Sequence, residues 1–152
     1  MNPTTLVVAT ARDMETLGTW LAAELRTSHL IYIRGPLGAG KTTLVRGVLR
    51  GLGHDGAVKS PTFTLVEPYT LSAFTLYHFD LYRLQQPEEL EFIGWRDYLD
   101  AGVCVVEWPE QGGRVLPEPH LDVMIEPTDH GRNVILTPHH EQGVAIIKGL
   151  TP

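Results

Sequence analysis

Alternating runs of hydrophobic and polar residues divide the first half of the chain into elements typical of an α/β domain. Two short apolar runs, residues 6–9 and 29–34, have the length of buried strands. Between them, leucines and one methionine recur at helical spacing, which predicts an amphipathic helix over about residues 11–26. Thr10 and Asp13 have the spacing of a capping box at its start. A second helix is predicted from residue 43 to the glycine-rich loop that begins near residue 51.

The second half of the chain is richer in strand signals. Residues 65–69 and 74–79 predict an antiparallel pair of strands, and residues 103–106 form the most apolar short strand of the chain. A C-terminal hairpin is predicted from residues 121–125 and 133–136, joined by a turn at Asp129-His130-Gly131. Shorter helices are expected near residues 87–100, and one more short strand near residues 143–148.

A glycine-rich segment connects the strand at residues 29–34 to the second helix. Its sequence, Gly35-Pro36-Leu37-Gly38-Ala39-Gly40-Lys41-Thr42, fits the phosphate-binding pattern G-x-x-x-x-G-K-[ST], and Thr43 continues into the helix. The glycines allow backbone N–H groups to surround phosphate oxygens, while the helix directs its positive end at the anion. We expect Lys41 to reach the β- and γ-phosphates and the Thr42 hydroxyl to bind Mg²⁺. The pattern predicts binding of a nucleoside triphosphate.

This loop defines the fold class. We predict a single α/β domain over residues 1–138 built around this loop, with a mixed sheet and an antiparallel hairpin toward the C-terminus. Residues 139–152 are predicted to form a C-terminal extension that holds the last short strand.

Two acidic residues end apolar strands and are candidates for catalysis. Asp80 follows residues 74–79, and phosphoryl-transfer sites place carboxylates that order metal or water at such strand ends. Glu107 follows residues 103–106 in the Walker B arrangement, with glutamate where aspartate is commoner. A strand-end cap, or for Asp80 an ion pair with Arg83, is the alternative structural interpretation.

The segment Ser60-Pro61-Thr62 lies in the connection that follows the phosphate-loop helix. In many nucleotide hydrolases this connection is ordered by the γ-phosphate and its metal, so Ser60 and Thr62 are candidates for a switch-like loop. A simple turn that leads into the next strand fits the same residues. The two interpretations remain open at this point.

Composition adds limits on location and partners. The chain has 152 residues, 43% of them hydrophobic, and Cys104 is its only cysteine, so neither a disulfide framework nor a cysteine-based zinc site is expected. We expect a cytoplasmic protein, because no secretory signal or membrane-length apolar run is present. The formal net charge of −6 argues against nucleic-acid binding by the whole surface, although residues 26–59 are locally basic.

Four segments together resemble one known family. They are Gly35-x-Leu37-Gly38-Ala39-Gly40-Lys41-Thr42-Thr43, Ser60-Pro61-Thr62-Phe63, His78-x-Asp80-Leu81-Tyr82-Arg83 and Val106-Glu107-Trp108. Their order and spacing resemble the TsaE (YjeE) family, bacterial P-loop ATPases needed to make threonylcarbamoyladenosine in tRNA. The resemblance runs from about residue 10 to residue 138. Pro36 departs from the family pattern, which usually has an acidic residue there.

The resemblance implies a P-loop NTPase-like domain, with a mixed, mostly parallel sheet flanked by helices and Mg²⁺-ATP at the loop, where Lys41 and Thr42 are phosphate and metal contacts. It implies that Asp80 is essential and that Glu107 is the Walker B acid, with Trp108 beside it. It also implies a partner, a TsaD–TsaB-type heterodimer of actin-like-fold proteins that transfers the threonylcarbamoyl group. Contact with tRNA is then expected to be indirect or local. We expect no membrane partner. ATP binding and hydrolysis would reset that complex.

Two other functions stay open on the sequence. One is a small-molecule kinase, in which Asp80 accepts a hydroxyl proton and Arg83 holds the acceptor. The other is a binding module whose nucleotide gates partner assembly without productive hydrolysis. It is also open which of Asp80 and Glu107 orients the attacking water. The source of an arginine finger is open too, and Arg83, Arg132 and a partner's arginine are the candidates.

Overall fold

Seven strands form one twisted sheet in the part of the chain that the computed structural model describes, residues 1–61 and 63–150. The strands are β1 Thr4–Val8, β2 Leu30–Arg34, β3 Val66–Thr70, β4 Thr75–Asp80, β5 Gly102–Glu107, β6 Leu121–Thr128 and β7 Gly131–Pro138. The helices are α1 Ala11–Glu24, α2 Lys41–Gly51, α3 Glu89–Phe92, α4 Trp95–Ala101 and α5 Glu141–Gly149, with a 3₁₀ segment at Pro109–Val115.

The strand order is β1-β7-β6-β2-β5-β4-β3. The central strands β6, β2, β5 and β4 are parallel, while β3 and β7 run against their neighbours, so five of the seven described strands share one direction. The mixed, mostly parallel sheet and the two predicted antiparallel pairs, β3–β4 and β6–β7, are therefore confirmed.

Each face of the sheet carries its own hydrophobic core. Helices α1 and α2 cover one face with buried side chains such as Leu17, Leu44 and Leu49. On the other face, Leu81, Leu90 and other apolar side chains pack around Tyr32 and Trp95. Since β2 and β5 are buried over nearly their whole length, both cores hold the strands that lead into the candidate site.

Helix α1 fixes the position of α2, and with it the phosphate loop. Thr10 caps α1 by accepting a hydrogen bond from the Asp13 N–H at 3.1 Å, as the sequence predicts. Where the helices cross, a Cβ on Gly47 would lie 2.2 Å from the Glu15 carbonyl oxygen. Only glycine permits this approach, so the α1–α2 contact depends on it.

The strand predicted at residues 143–148 is wrong, because these residues lie in α5. Gly143 and Ile146 are buried and Ile147 and Leu150 are partly buried, a helical spacing that places them on one face against β7 and α1. A short apolar run alone does not distinguish a strand from a helix, and packing decides here.

No helix within residues 1–61 and 63–150 combines the length and apolar character needed to cross a membrane. Cys104 is buried in β5, and burial raises the pKa of its thiol to about 12, so it remains an apolar core residue at neutral pH.

Candidate functional site

The predicted phosphate loop lies between β2 and α2, at the carboxyl end of the parallel strands. Gly35 has a φ of 151°, and a Cβ there would lie 2.8 Å from the Ile125 carbonyl oxygen. The Ala39 N–H closes a turn onto the Pro36 carbonyl at 3.1 Å. The loop therefore follows the strand–turn–helix path required of a phosphate loop, with the N-terminus of α2 directed at its centre.

Lys41 is folded over this loop. Its ammonium donates hydrogen bonds to the carbonyls of Gly35 at 2.7 Å and Pro36 at 2.8 Å, and it lies 4.5 Å from the centre of the Trp108 ring. Burial lowers the pKa of Lys41, while the negative charges of Glu107, Asp80 and others oppose that shift. A cation in this position is held ready for an anion bound in the loop.

Asp80 and Glu107 lie side by side because β4 and β5 are parallel and pair in register at these two residues. Both are buried, with 6% and 3% of their surface exposed. The Asp80 carboxylate accepts hydrogen bonds from the Tyr82 N–H at 3.0 Å and the Ser60 hydroxyl at 3.3 Å. Two adjacent buried carboxylates near a buried lysine are typical of a site that handles charge.

Aromatic and basic side chains border these carboxylates. Trp108 has left-handed backbone angles, with φ of 57°, and its ring lies 4.9 Å from that of Tyr82. The guanidinium of Arg83 stacks on Phe63 at 4.8 Å, and the Phe63 ring is 86% exposed. A non-glycine residue held in the left-handed region is a strained feature that clusters at functional sites.

A cavity of about 440 Å³ joins these groups into one site. It is lined by Leu37, Gly38, Gly40, Lys41, Thr42, Thr43, Ser60, Asp80, Tyr82, Arg83, Glu107 and Trp108. All but Tyr82 are residues that the sequence singles out for this site. Of the other predicted residues, Gly35 offers its carbonyl to Lys41, Ala39 is buried within the loop, and Thr62 lies outside the described residues.

A second cavity, of about 310 Å³, lies on the opposite side of the loop. Arg132 borders it and donates hydrogen bonds to the carbonyls of Ala39 at 2.8 Å and Gly38 at 3.4 Å. The remaining lining comes from the start of α1 and from the loop, namely Ala9, Thr10, Ala11, Met14, Gly40 and Thr43. The loop therefore separates two cavities, one that contains Lys41 and the two carboxylates and one bordered by Arg132.

The donor set of the first cavity fits Mg²⁺ bound together with phosphates. Thr42 supplies a hydroxyl and Glu107 and Asp80 supply carboxylates, which are the oxygen ligands that Mg²⁺ prefers. Within the described residues, no group of three or more His, Cys, Asp or Glu side chains could hold a metal ion by itself. A hydroxyl and two carboxylates suit an ion that keeps several waters and takes its remaining ligands from a nucleotide.

The sequence analysis names His78 within a family motif but assigns it no role, and the structure places it behind the carboxylates. His78 is fully buried in β4, and its Nε2 lies 2.5 Å from Oε2 of Glu107. The available signal was the alternation of strand residues, which puts His78 and Asp80 on the same face. The partner strand was not predictable from the sequence, so the contact with Glu107 was not foreseen.

Comparison with protein families identifies the chain. A family model described as "Threonylcarbamoyl adenosine biosynthesis protein TsaE" matches residues 8–134. The chain belongs to the TsaE family. The matched TsaE region contains the phosphate loop, Asp80, Glu107 and Arg132, and it ends before α5.

Several TsaE proteins are similar to the chain over most of its length. The Haemophilus influenzae protein named "tRNA threonylcarbamoyladenosine biosynthesis protein TsaE" is 50% identical over 123 residues, covering 80% of this chain and 78% of the relative. Proteins of the same name from Rickettsia conorii and Bacillus subtilis are 35% and 39% identical, over 85% and 69% of this chain and 75% and 66% of theirs.

A solved structure shares the fold. The crystal structure of Bacillus subtilis YdiB superposes with a TM-score of 0.84 at 26% identity, covering 98% of this chain and 94% of that one. The coverage includes α5, which the TsaE family model does not reach.

Proposed function

We propose that the protein binds Mg²⁺-ATP at the phosphate loop and hydrolyses it in support of threonylcarbamoyl transfer to adenosine in tRNA. The observation that carries the proposal is that Lys41, Asp80 and Glu107, distant in sequence, line one cavity. Membership of the TsaE family supplies the tRNA context, because the relatives are named for threonylcarbamoyladenosine biosynthesis.

In this proposal the phosphates lie across the loop and the adenosine occupies the cavity bordered by Arg132. The two cavities share Gly38, Gly40 and Thr43, so one extended ligand can reach both. The γ-phosphate then points toward Lys41 and the two carboxylates. Lys41 leaves the carbonyls of Gly35 and Pro36 and binds phosphate oxygens, a stronger interaction because both partners are charged.

Hydrolysis requires a positioned water and neutralisation of the charge that develops on the phosphates. Thr42 and Glu107 would hold Mg²⁺, which supplies that neutralisation when bound. Asp80, fixed by the Tyr82 N–H and the Ser60 hydroxyl, can orient a water beside Glu107. Either carboxylate can orient the water for in-line attack while the other binds Mg²⁺. Exchanging these two roles leaves the rest of the proposal unchanged.

The partner is proposed to be a TsaD–TsaB-type heterodimer, with the ATPase resetting that complex after transfer. The test is Mg²⁺-ATP hydrolysis by the purified protein, alone and with the heterodimer, with Glu107→Ala as control. Turnover that increases with the partners and disappears in the variant is the expected result. Turnover that is indifferent to the partners would contradict the proposal and favour a small-molecule kinase.

A nucleotide-gated binding module is the second candidate. It is favoured by Lys41, whose ammonium is hydrogen-bonded to the loop's own carbonyls. Binding of a nucleotide must release this lysine, so binding alone changes the loop. If ATP and a non-hydrolysable analogue support threonylcarbamoyladenosine formation equally over many cycles, this second function replaces the first.

A further inference from the structure

His78 and Glu107 form a buried pair on the face of the sheet that faces α2. Asp80 and Glu107 are register partners, and His78 lies two residues before Asp80, so all three side chains project from the same face. His78 is 0% exposed and Glu107 is 3% exposed. The neighbours of His78 on this face, Leu76 and Val105, are apolar and belong to the core.

When Glu107 is ionised, the proton of this hydrogen bond lies on the histidine. A carboxylate can only accept, so the 2.5 Å contact between Nε2 of His78 and Oε2 of Glu107 requires a hydrogen on Nε2. The other ring nitrogen, Nδ1, has no hydrogen-bond partner among the described residues. An imidazole buried among aliphatic side chains is costly unless it is hydrogen-bonded, and here its ring meets one polar partner, Glu107.

Glu107 needs such support more than an aspartate at this strand end would. Its extra methylene adds a rotatable bond, and an unrestrained side chain loses more conformational entropy when it is fixed for catalysis. Asp80 next to it is held by Tyr82 N–H and Ser60 hydroxyl donors. For Glu107, His78 supplies a donor from inside the core.

We propose that His78 is a positioning residue that fixes the Glu107 carboxylate. By holding one oxygen at the core, it sets the direction in which the other oxygen is presented to the cavity. The role is that of an outer partner of a metal- or water-binding carboxylate, whose removal typically costs 10–100-fold in affinity or activity. The inference rests on the proposed function, because the task of Glu107 is performed on Mg²⁺-ATP.

Two neutral substitutions separate positioning from core filling. In His78→Gln the amide nitrogen can occupy the place of Nε2 and still donate to Glu107. In His78→Asn the amide lies near the place of Nδ1 and is too short to reach. Both replace the ring with a smaller polar side chain, so a purely structural role predicts similar losses from both.

The expected result is a split between kcat and KM. We expect His78→Asn to lower kcat for ATP about 10–100-fold with little change in KM, and to require more Mg²⁺ for half-maximal turnover. We expect His78→Gln to restore kcat to within a few-fold of the wild type. Equal losses in both variants, following their thermal stability, would overturn the proposal.

NMR provides a test of the contact between His78 and Glu107 that does not depend on turnover. Nitrogen-15 NMR of the nucleotide-free protein should find His78 in the Nε2–H form, with a resonance that changes in Glu107→Gln. The Nδ1–H form would overturn the proposal. If the wild-type protein neither binds nor hydrolyses Mg²⁺-ATP, the proposed function fails, whereas the NMR result still decides whether His78 holds Glu107.

Discussion

The two ends of the central sheet both bury titratable side chains, but with opposite chemistry. At the carboxyl end, Lys41, Asp80 and Glu107 lie together around one cavity. At the amino end, His29 precedes β2 and His120 precedes β6, with their rings 5.2 Å apart. The first group combines charges of opposite sign, and the second brings together rings that repel one another when protonated.

Hydrogen bonding distinguishes the ends further. Nδ1 of His29 accepts from the Arg26 N–H at 3.0 Å, and Nδ1 of His120 accepts from the Leu30 N–H at 2.9 Å. A ring nitrogen that accepts from an amide carries no proton, so both rings are fixed as neutral. Burial lowers the pKa of His29, and the neighbouring His120 lowers it further; burial also lowers the pKa of His120.

The surroundings of a buried ionisable group indicate its role. When a backbone amide donates to the group and so satisfies its neutral form, as the Arg26 N–H does for His29, the group joins elements of the fold. When its partners are other ionisable side chains beside a cavity, as for Glu107, the group is available for chemistry.

Replacing Glu107 with glutamine should nearly abolish hydrolysis. The neutral amide keeps the shape and can still contact His78, but it loses the charge that binds Mg²⁺ or orients water. We expect kcat for ATP to fall on the order of 10²–10⁴-fold, the range for loss of a positioned acid or base, with ATP affinity largely kept. Steady-state hydrolysis and nucleotide titration measure the two quantities.

The matched control is Glu110→Gln. Glu110 is exposed and near the site, 4.0 Å from Arg34, so its removal should change turnover little. Comparable losses in both variants would mean that the site responds to overall negative charge, and the distinction drawn for Glu107 would fail.

Replacing Lys41 with methionine should weaken nucleotide binding. The lysine is buried at the loop, and a hydrogen bond to a charged group contributes about 1.5–3 kcal/mol, equivalent to roughly 10–150-fold in Kd. Calorimetry with ADP and ATP tests this, and the loss should be larger for ATP because Lys41 is expected to reach the γ-phosphate. Lys148→Met, on the exposed face of α5, is the control and should bind normally.

Local sequence patterns predicted most of the structural features that the Glu107 and Lys41 variants test. The phosphate loop, α1 with its Thr10 cap and the β6–β7 hairpin depend on local patterns, and each was found in the structure. Residues 143–148 were misassigned because their apolar run fits a strand or a helix equally well. Only contacts with β7 and α1, far away in the sequence, decide between the two.

The same limit applies to the candidate site. Asp80 and Glu107 were predicted singly as strand-end acids, but their adjacency follows from the order β5-β4 and its register. The contact between Arg132 and the Ala39 carbonyl spans 93 residues. Strand order and register arise from packing of the whole chain, and neither is encoded in any single segment.

Replacing Arg132 with glutamine should reduce nucleotide affinity moderately. Its guanidinium supports the loop at the carbonyls of Ala39 and Gly38, and each hydrogen bond contributes about 0.5–1.5 kcal/mol. We expect ATP and ADP affinity to fall together by roughly 3–10-fold, with kcat at saturation nearly unchanged. Arg114→Gln, exposed in the 3₁₀ segment, is the control. A loss confined to kcat would instead identify Arg132 as an arginine finger.

The histidines at the amino end of the sheet should affect the stability of the protein and not its ATP turnover. Because the pKa values of His29 and His120 are lowered in the folded protein, the unfolded chain binds more protons as pH falls. Their contribution to stability is complete above the unfolded histidine pKa of about 6.5 and decreases as pH falls below it. Urea denaturation at pH 7.5 and pH 5.5 should show this loss.

Removing one of these histidines should make the loss smaller. His120→Gln eliminates one titrating ring, so we expect the stability of the variant to change less between pH 7.5 and pH 5.5 than that of the wild type. A shift of one pKa unit is worth about 1.4 kcal/mol, so the expected difference in stability is modest. His130→Gln, exposed in the β6–β7 turn, should leave the pH dependence as it is. If ATP turnover corrected for the folded fraction also changed specifically in His120→Gln, the amino end would be part of the site, and the separation of the two ends would be wrong.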